Sequence, residues 1–460
     1  MYIKRLLFII AIYWQGVGLC QSLGYLRQDN PYDSSTSQLP IFPALDHRPI
    51  HGKFLRHQPL IDLALQAHTS AQGKIRGGYL VDFEKSAFFM RLSAFVGAYS
   101  NHSVFNQNGL SLKNVFLQWD PSIRLGVKPS RYFNAQLGYD RNFYGEGARS
   151  LFISDFGKPY PFISSRFNIG PLSYQAMLSY LGNNSLQKKF FMTHFLHGSI
   201  GKRVDLQFFE AVIFNSGDTL THRSFDPAYL NPFVIIRPLE YSLGSGDNVL
   251  IGLGAAFKFH ANSKIYGQFL LDDFLLSALL NKSKYWANKF AGQLGWKYRF
   301  SSNLLRYSLR IEANAVRPYT YSHLGEPLSY SNGSQVLAHP LGANFWEVLT
   351  QFKVSKKRGA IFGEVQLGAQ GRDSSSINYG SNIFLPYTNR PSDYGVSLLQ
   401  GQKTSFIKGR INFSYSLRRF FFSEIYCELF MVYLHNQQQN QFKLSPILGI
   451  RSPLFNDYRF

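Results

Sequence analysis

The sequence predicts an all-β chain folded as a transmembrane antiparallel β-barrel. Apolar and polar residues alternate in segment after segment from Lys74 to the C-terminus, the two-residue period of a strand with one greasy and one wet face. Aromatic residues make up 16% of the 460 residues and charged residues 16%, against roughly 25% charge in ordinary globular chains. Beyond the N-terminus no apolar run approaches about 20 residues, the length a helix needs to cross a bilayer. Mean hydropathy is nonetheless slightly below zero. That combination suits a wall with lipid on one side and water or polar side chains on the other.

Residues 1–20 carry Lys4 and Arg5, then an apolar core from Leu6 to Trp14, then small residues at Gly16 and Gly18, the layout of a secretory signal. Cleavage after Cys20 leaves Gln21 first. Lipid modification of Cys20 is the rival, and Leu19 is bulky for it. With Cys20 removed, Cys427 is alone and no intrachain disulfide can form. Loss of Lys4 and Arg5 takes the formal charge from +21 to +19. Residues 21–73 hold Pro31, Pro40, Pro43, Pro49 and Pro59 without sustained alternation. They are expected to form a periplasmic segment of coil or short helix ahead of a barrel spanning 74–460. His47, His51, His57 and His68 lack a supporting carboxylate at helix or turn spacing and read as surface histidines.

Within the barrel region Phe88, Met90, Leu92 and Val96 oppose Arg91, Ser93 and Gly97. Phe290, Leu294, Trp296 and Tyr298 oppose Lys289, Gln293, Lys297 and Arg299. Ile311 and Ala313 oppose Arg310, Glu312 and Asn314, and Ile425, Cys427 and Leu429 oppose Glu424 and Glu428. Such segments have the length of a tilted membrane strand, about 9–11 residues. Cys427 thereby falls on the lipid face. Turns are expected at Asn183-Asn184, at 244–247 (GSGD), at 331–334 (SNGS) and at 371–376 (GRDSSS). The links 216–238, 317–345 and 376–402 are long and rich in Tyr, Asn, Pro and His, as extracellular loops of such barrels are. The chain ends Asp457-Tyr-Arg-Phe460, similar to the C-terminal signal of barrels read by their assembly machinery.

The densest chemistry lies at 140–161, DRNFYGEGARSLFISDFGKPYP. Gly145 and Gly147 permit unusual backbone angles, and Arg141, Glu146, Arg149 and Asp155 can pair across a fold-back. Two readings stand. One is a loop whose charges hold its own shape. The other is a loop that meets a ligand at the barrel mouth or in the lumen, with Arg141, Asn142, Arg149 and Asp155 as its contacts. Arg317, Tyr319, Tyr321 and His323 share one face if their segment is extended. Tyr and Arg suit stacking on sugars and pairing with uronate carboxylates. They equally suit an interfacial girdle with Arg turned to headgroups. His339, Asn344 and Trp346 in the following stretch can join either arrangement.

The excess of 48 basic over 27 acidic residues is scattered, densest at 353–358 (KVSKKR). No basic helix, zinc pattern or RNP-like motif accompanies it, so nucleic acid is the weaker partner class; lipopolysaccharide phosphates or an acidic extracellular glycan are the natural counter-charges. His194 and His197 stand three apart in a strand-like stretch and point to opposite faces, which rejects them as a metal pair. Asp272 and Asp273 can bind a cation at a strand end or cap a loop. Nothing fixes a Ser-His-acid triad, and neither a phosphate loop nor HExxH occurs. The expectation is a non-enzyme without cofactor or metal.

Four motif groups occur in order: NFYGEGARSLFISDF at 142–156; FFEAVIF at 208–214 with YLNPFVIIRPLEYSLGSGDN at 229–248; YGQFLLDDF at 266–274 with YWANKFAGQLG at 285–295; and VRPYTYSH at 316–323 with LAHPLGANF at 337–345. Their order and wording resemble the Wzi-like capsule-assembly family of outer-membrane barrels, most of all a Bacteroidetes branch of RemB-like gliding-motility proteins. The likeness runs from about Ala71 to Phe460. It implies 16–18 strands, within the range of such barrels. It further implies a surface-exposed, non-enzymatic protein that binds or anchors capsular or other extracellular polysaccharide, or serves adhesion or gliding. The partners implied are outer-membrane lipid and lipopolysaccharide, anionic polysaccharide and the barrel-assembly machinery. A passive porin for small solutes is the alternative, on the strength of the polar strand faces.

Overall fold

The computed structural model describes residues 53–67, 71–100, 109–112, 115–182, 188–216, 229, 231, 246–302, 304–374, 377–417 and 423–452. The expected signal at 1–20, the N-terminal stretch to residue 52, the turn at Asn183-Asn184, most of the link 216–238 and the terminal Phe460 lie outside the described residues.

Alternation becomes strand in chain order. β1 (Lys53–Ala67), β2 (Ala71–Lys85), β3 (Phe88–Ser100), β4 (Gly109–Leu112), β5 (Val115–Ser130), β6 (Phe133–Asp140) and β7 (Tyr160–Ile169) form the first third. β8 (Leu172–Leu181), β9 (Lys188–Ile200), β10 (Val204–Ser216), β11 (Asn248–His260), β12 (Ser263–Asp273), β13 (Lys289–Ser301) and β14 (Arg306–Val316) follow. β15 (Ser331–Asn332) and β16 (Gln335–Val336) make a separate small hairpin, and β17 (Phe345–Lys356), β18 (Gly359–Arg372), β19 (Gln402–Leu417), β20 (Ser423–Asn436) and β21 (Asn440–Arg451) complete the wall. Neighbouring strands pair antiparallel. β1 returns to β21 from Asp62↔Arg451 to Gln66↔Ile447 and closes the sheet. That sheet counts 19 strands, and without β4, a four-residue flank on β5, the closed wall is 18.

Closure removes sheet edges, as a lipid environment requires. The outer face is apolar: Leu294 is 64% exposed, Ile163 58% and Phe413 52%, while Gln293, Lys297 and Asn412 on the opposite face are buried. Cys427 is exposed on the outer face, as alternation predicts. Links are long at one end of the barrel, at 101–114, 141–159, 217–247, 274–288, 317–344 and 373–401. At the other end they are short, as at 86–87, 131–132, 170–171, 261–262 and 357–358. The long-link end is the extracellular one by the rule for such barrels.

Two expectations are corrected. The barrel begins at Lys53, not at residue 74: β1 pairs with β2 along its whole length. Pro59 is accommodated because the pairing of β1 with β21 covers only Asp62–Gln66, so no described ladder on that side needs its missing N–H. The SNGS stretch at 331–334 joins β15 and β16 inside the barrel and is not a turn between wall strands. Its Asn332 accepts from the Gly182 N–H at 2.9 Å and donates to the Lys158 carbonyl at 3.1 Å. The largest apolar core lies within the lumen. Tyr144, Leu151, Phe152 and Ile153 from the 141–159 link, and Tyr321 and Tyr330 from the 317–344 link, pack against Phe191, Phe195, Phe209, Leu250 and Leu270 of the wall.

Candidate functional site

The 141–159 link turns inward from β6 and plugs the lumen. Two glycines allow the close approach. Gly145 has φ +112°, and a Cβ there would stand 1.7 Å from Gln268 Nε2. At Gly147 a Cβ would stand 2.6 Å from both Gln293 Oε1 and Glu312 Oε2. Wall side chains take up the plug's backbone groups. Glu312 accepts from the N–H groups of Ala148 at 2.7 Å and Arg149 at 3.3 Å. Gln268 Oε1 accepts from the Leu151 N–H at 2.9 Å, and Gln293 Nε2 donates to the Arg149 carbonyl at 2.5 Å. Tyr144 stacks on Phe195 and Phe152 on Phe209, each pair with ring centroids 5.0 Å apart.

The plug's charges reach the wall as well as their own loop. Arg141 donates to Asp120 at 2.9 Å and to the Gly157 carbonyl at 2.6 Å. Glu146 lies between Lys264 Nζ at 2.6 Å and Lys297 Nζ at 3.2 Å. Burial opposes its ionisation, but the two ammonium groups outweigh burial and hold its carboxyl down to about 2. Arg149 donates to Glu347 at 2.6 Å. Asn142 is buried and accepts from Arg124 at 3.2 Å, and Asp155 is half-buried near the plug's exit.

The 317–344 link is not extended. Tyr319 and Tyr321 have φ of +67° and +72°, so Arg317, Tyr319, Tyr321 and His323 do not share one face as expected. Tyr321 donates to the Leu151 carbonyl at 2.9 Å and Tyr330 to the Phe152 carbonyl at 2.8 Å, locking this link onto the plug. Asp272 and Asp273 both face Lys289, at 3.1 and 3.0 Å, and Asp272 also accepts from the Tyr321 N–H at 2.7 Å. They anchor a loop, as the capping alternative has it. His339 is fully buried. Its Nδ1 accepts from the Leu341 N–H at 3.2 Å, so Nε2 carries the proton donated to Glu347 at 2.6 Å. Burial pushes its pKa below the ordinary histidine value. Asn344 (φ +57°) donates to the carbonyls of Gly371 at 2.8 Å and Gln400 at 2.9 Å and accepts from the Leu399 N–H at 2.7 Å, tying three segments together.

Above this packed interior, three outer links meet around Trp286, which is 8% exposed and packs with Tyr319 and Val396 beneath partly buried Tyr285 and Tyr387. The Arg390 guanidinium lies 4.1 Å from the Trp286 ring centroid, and Tyr387 lies 4.6 Å from it on another side. Tyr285 and Tyr394 approach to 5.5 Å, and Tyr394 is 61% exposed. Arg390 also donates to the exposed Asp393 at 2.6 Å. Tyr319 meets the Trp286 ring edge-on at 6.1 Å from below and donates to the Asn378 carbonyl at 2.8 Å. Burial pushes its phenol up to about 12. Arg317 reaches the Val396 carbonyl at 3.5 Å and lies 5.2 Å from the Phe290 ring; burial lowers its pKa.

The eight predicted residues therefore do not form one ligand surface. Asn142, Arg149, His339 and Asn344 hold the interior, Arg141 and Asp155 its exit, and Arg317 and Tyr319 support the outer aromatic layer. That layer's own members, Tyr285, Trp286, Tyr387, Arg390 and Tyr394, are the residues sequence reading missed. The available signal was the Tyr, Trp and Arg content of YW at 285–286 and YTNRPSDY at 387–394. The rejection of His194 and His197 as a metal pair stands: His197 faces inward beside Asp205 at 3.8 Å, and His194 has the outward parity of exposed Leu196. Trp346, 38% exposed, also points outward.

No protein-family model matches the chain, and no curated protein matches it. Solved structures do. Escherichia coli Wzi, a carbohydrate-binding outer-membrane β-barrel involved in group 1 capsule assembly, aligns with a TM-score of 0.58 and 13% identity over 87% of this chain and 85% of its own. Acinetobacter baumannii OccAB2 aligns with a TM-score of 0.47 and 8% identity over 88% of this chain and 98% of its own. Pseudomonas aeruginosa OccK8 aligns with a TM-score of 0.47 and 9% identity over 87% and 98%. At 13% identity the likeness to Wzi is one of fold, an outer-membrane β-barrel.

Proposed function

We propose that this barrel, exported to the bacterial outer membrane, binds or anchors acidic extracellular polysaccharide at the cell surface, where it serves capsule retention, adhesion or gliding. The observation that carries this reading is the outer-end cluster of Tyr285, Trp286, Tyr387, Arg390 and Tyr394 over a plugged lumen. Exposed Tyr394, set on Tyr285, offers a face to a sugar ring, Trp286 is buried beneath as its support, and a guanidinium fits a uronate carboxylate. Likeness of fold to a carbohydrate-binding barrel points the same way. Rings and a guanidinium at the outer end make the reading one of binding. Lipopolysaccharide phosphates supply the surrounding counter-charge for a chain of formal charge +21. Passage of small solutes is the second reading, favoured by the polar inward faces and opposed by the plug.

The test is surface polysaccharide in a deletion strain, measured separately on cells and in medium. Glycan shed into the medium, and held again by the intact gene but not by Tyr394→Ala with Arg390→Ala, is the expected result. Unchanged retention together with solute conductance by the purified barrel would replace this reading with the channel.

A further inference from the structure

The link between β12 and β13 leaves its apolar residues on the outside. It reads FLLSALLNKSKYWAN over 274–288, with two lysines and no acid. Ala and Leu favour helix, and Leu276–Leu280 form a single turn, α1, beyond which Lys282 has φ +52°. Of that turn only Ala278 is buried. Phe274, Leu275, Leu276, Leu279 and Leu280 are all exposed, from 40% at Phe274 to 71% at Leu280. The links that fold inward behave differently, since their Leu151 and Leu337 are buried in the core. Five large apolar side chains in water within one short stretch mark a contact surface rather than scattered exposure.

The patch continues the lipid-facing wall. On the outward face of β12 and β13, Phe269 and Phe290 approach to 6.0 Å between ring centroids, and Leu271 pairs with Phe290 above them. Asp273 then pairs with Lys289, and Phe274 follows. β12 has 11 residues. At about 3.3 Å each and a tilt of about 40° it climbs about 28 Å, against an apolar band about 25 Å tall. The link therefore leaves the wall at the level where the outer leaflet ends. Lys282 and Lys284 are exposed just beyond the leucines. On its other side the link enters the outer aromatic layer. There the carbonyls of Ser283 and Lys284 accept from the N–H groups of Gly395 at 3.2 Å and Val396 at 2.9 Å.

We infer that residues 274–280 form a foot that lies in the outer leaflet, with its leucines among lipid acyl chains and Lys282 and Lys284 at lipid phosphates. A short apolar segment beside cations has the composition of an interfacial anchor, and acyl chains relieve the cost of leucines exposed to water. Tyr285 and Trp286 follow directly in the same link. Contact with the leaflet therefore seats the outer aromatic layer at the bilayer surface. The inference stands on the apolar patch and holds whether or not that layer takes glycan.

The experiment places a polarity-sensitive fluorophore on Leu279→Cys, Lys282→Cys and Tyr394→Cys, each in full-length protein carrying Cys427→Ser. The labelled barrels, checked for the heat-modifiable gel shift of a folded barrel, are reconstituted into vesicles of phosphatidylcholine and phosphatidylglycerol. Protein without the added cysteine sets the background. The expected result is a graded series. Spin labels on the acyl chain quench the Leu279 label several-fold more than aqueous iodide does. A spin label on the headgroup quenches the Lys282 label, and iodide alone quenches the Tyr394 label. Adding Leu276→Gln with Leu280→Gln is expected to shift the Leu279 label toward quenching by iodide. Iodide quenching at Leu279 equal to that at Tyr394 would overturn the inference, because the foot then stands in water. Shielding of Leu279 from both quenchers would also overturn it, assigning the patch to contact between copies.

Discussion

Glu347 concentrates more of the interior's polar bonding than its place in a strand suggests. It accepts from Arg149 and His339, each at 2.6 Å, and from Asn314 at 2.9 Å. Removing one partner of a buried pair strands the other charge, so Glu347→Ala is expected to cost about 3–5 kcal/mol of plug docking. Hydrogen exchange across 141–159 checks this, and unchanged protection would refute it. Glu146 sets an acid limit by the same logic. Its folded carboxyl is held at about 2, below an unfolded value of about 4.3, so folding favours the ionised form. Its contribution is complete above the unfolded value and lost as pH falls through the folded one. Plug protection is expected to hold from about pH 7 to 5 and to decline between about pH 4 and 2. In the outer layer, Tyr319→Phe removes the donor to Asn378 and the acceptor of Gln400. It is expected to lower thermal stability by about 1 kcal/mol. Tyr394→Ala, at an exposed ring, is expected to reduce glycan retention with the melting temperature unchanged.

The plug depends as an element on backbone that approaches the wall more closely than a side chain permits. Gly147→Ala must displace the ends of Gln293 and Glu312, which themselves hold the backbone of Ala148 and Arg149. A loss of about 1–3 kcal/mol is expected, read as faster proteolysis within 141–159 while the barrel keeps its heat-modifiable gel shift. Gly77→Ala is the control. Gly77 lies on the exposed face of β2 with nothing within 4 Å of an added Cβ, and no change is expected there.

For the whole molecule, two inward-folded links and a shared apolar core turn an 18-strand wall from a pipe into a filled cylinder. Barrels of about 16–18 strands otherwise leave an aqueous channel. The purified wild-type protein is therefore expected to pass no steady current in planar bilayers. Deleting 143–156, which removes Tyr144, Phe152, Glu146 and Arg149 together, is expected to produce discrete openings. Porin-like conductance from the wild type would contradict the packing described.

The alternation of Phe290, Leu294 and Tyr298 with Gln293 and Lys297 was enough, by itself, to assign a membrane strand, because lipid and lumen impose opposite demands on neighbouring residues. The same pattern located Cys427 on the outer face and separated His194 from His197. It misplaced the start of the barrel, since the prolines around Lys53–Ala67 mask a strand that needs few partners on one side. Residues 140–161 stood out for their glycines and charges, yet their partners Lys264, Lys297, Glu312 and Glu347 lie more than 100 residues away. Nothing local couples an Arg in a loop to a Glu on a distant strand. Only closure of the sheet brings them within 3.2 Å, and only then does a loop that reads either as self-paired or as a ligand contact become the wall's own filling. The outer aromatic layer has the same origin: Trp286 and Arg390, 104 positions apart, meet because β13 and β19 lie on one side of a closed barrel and their links turn over the same rim.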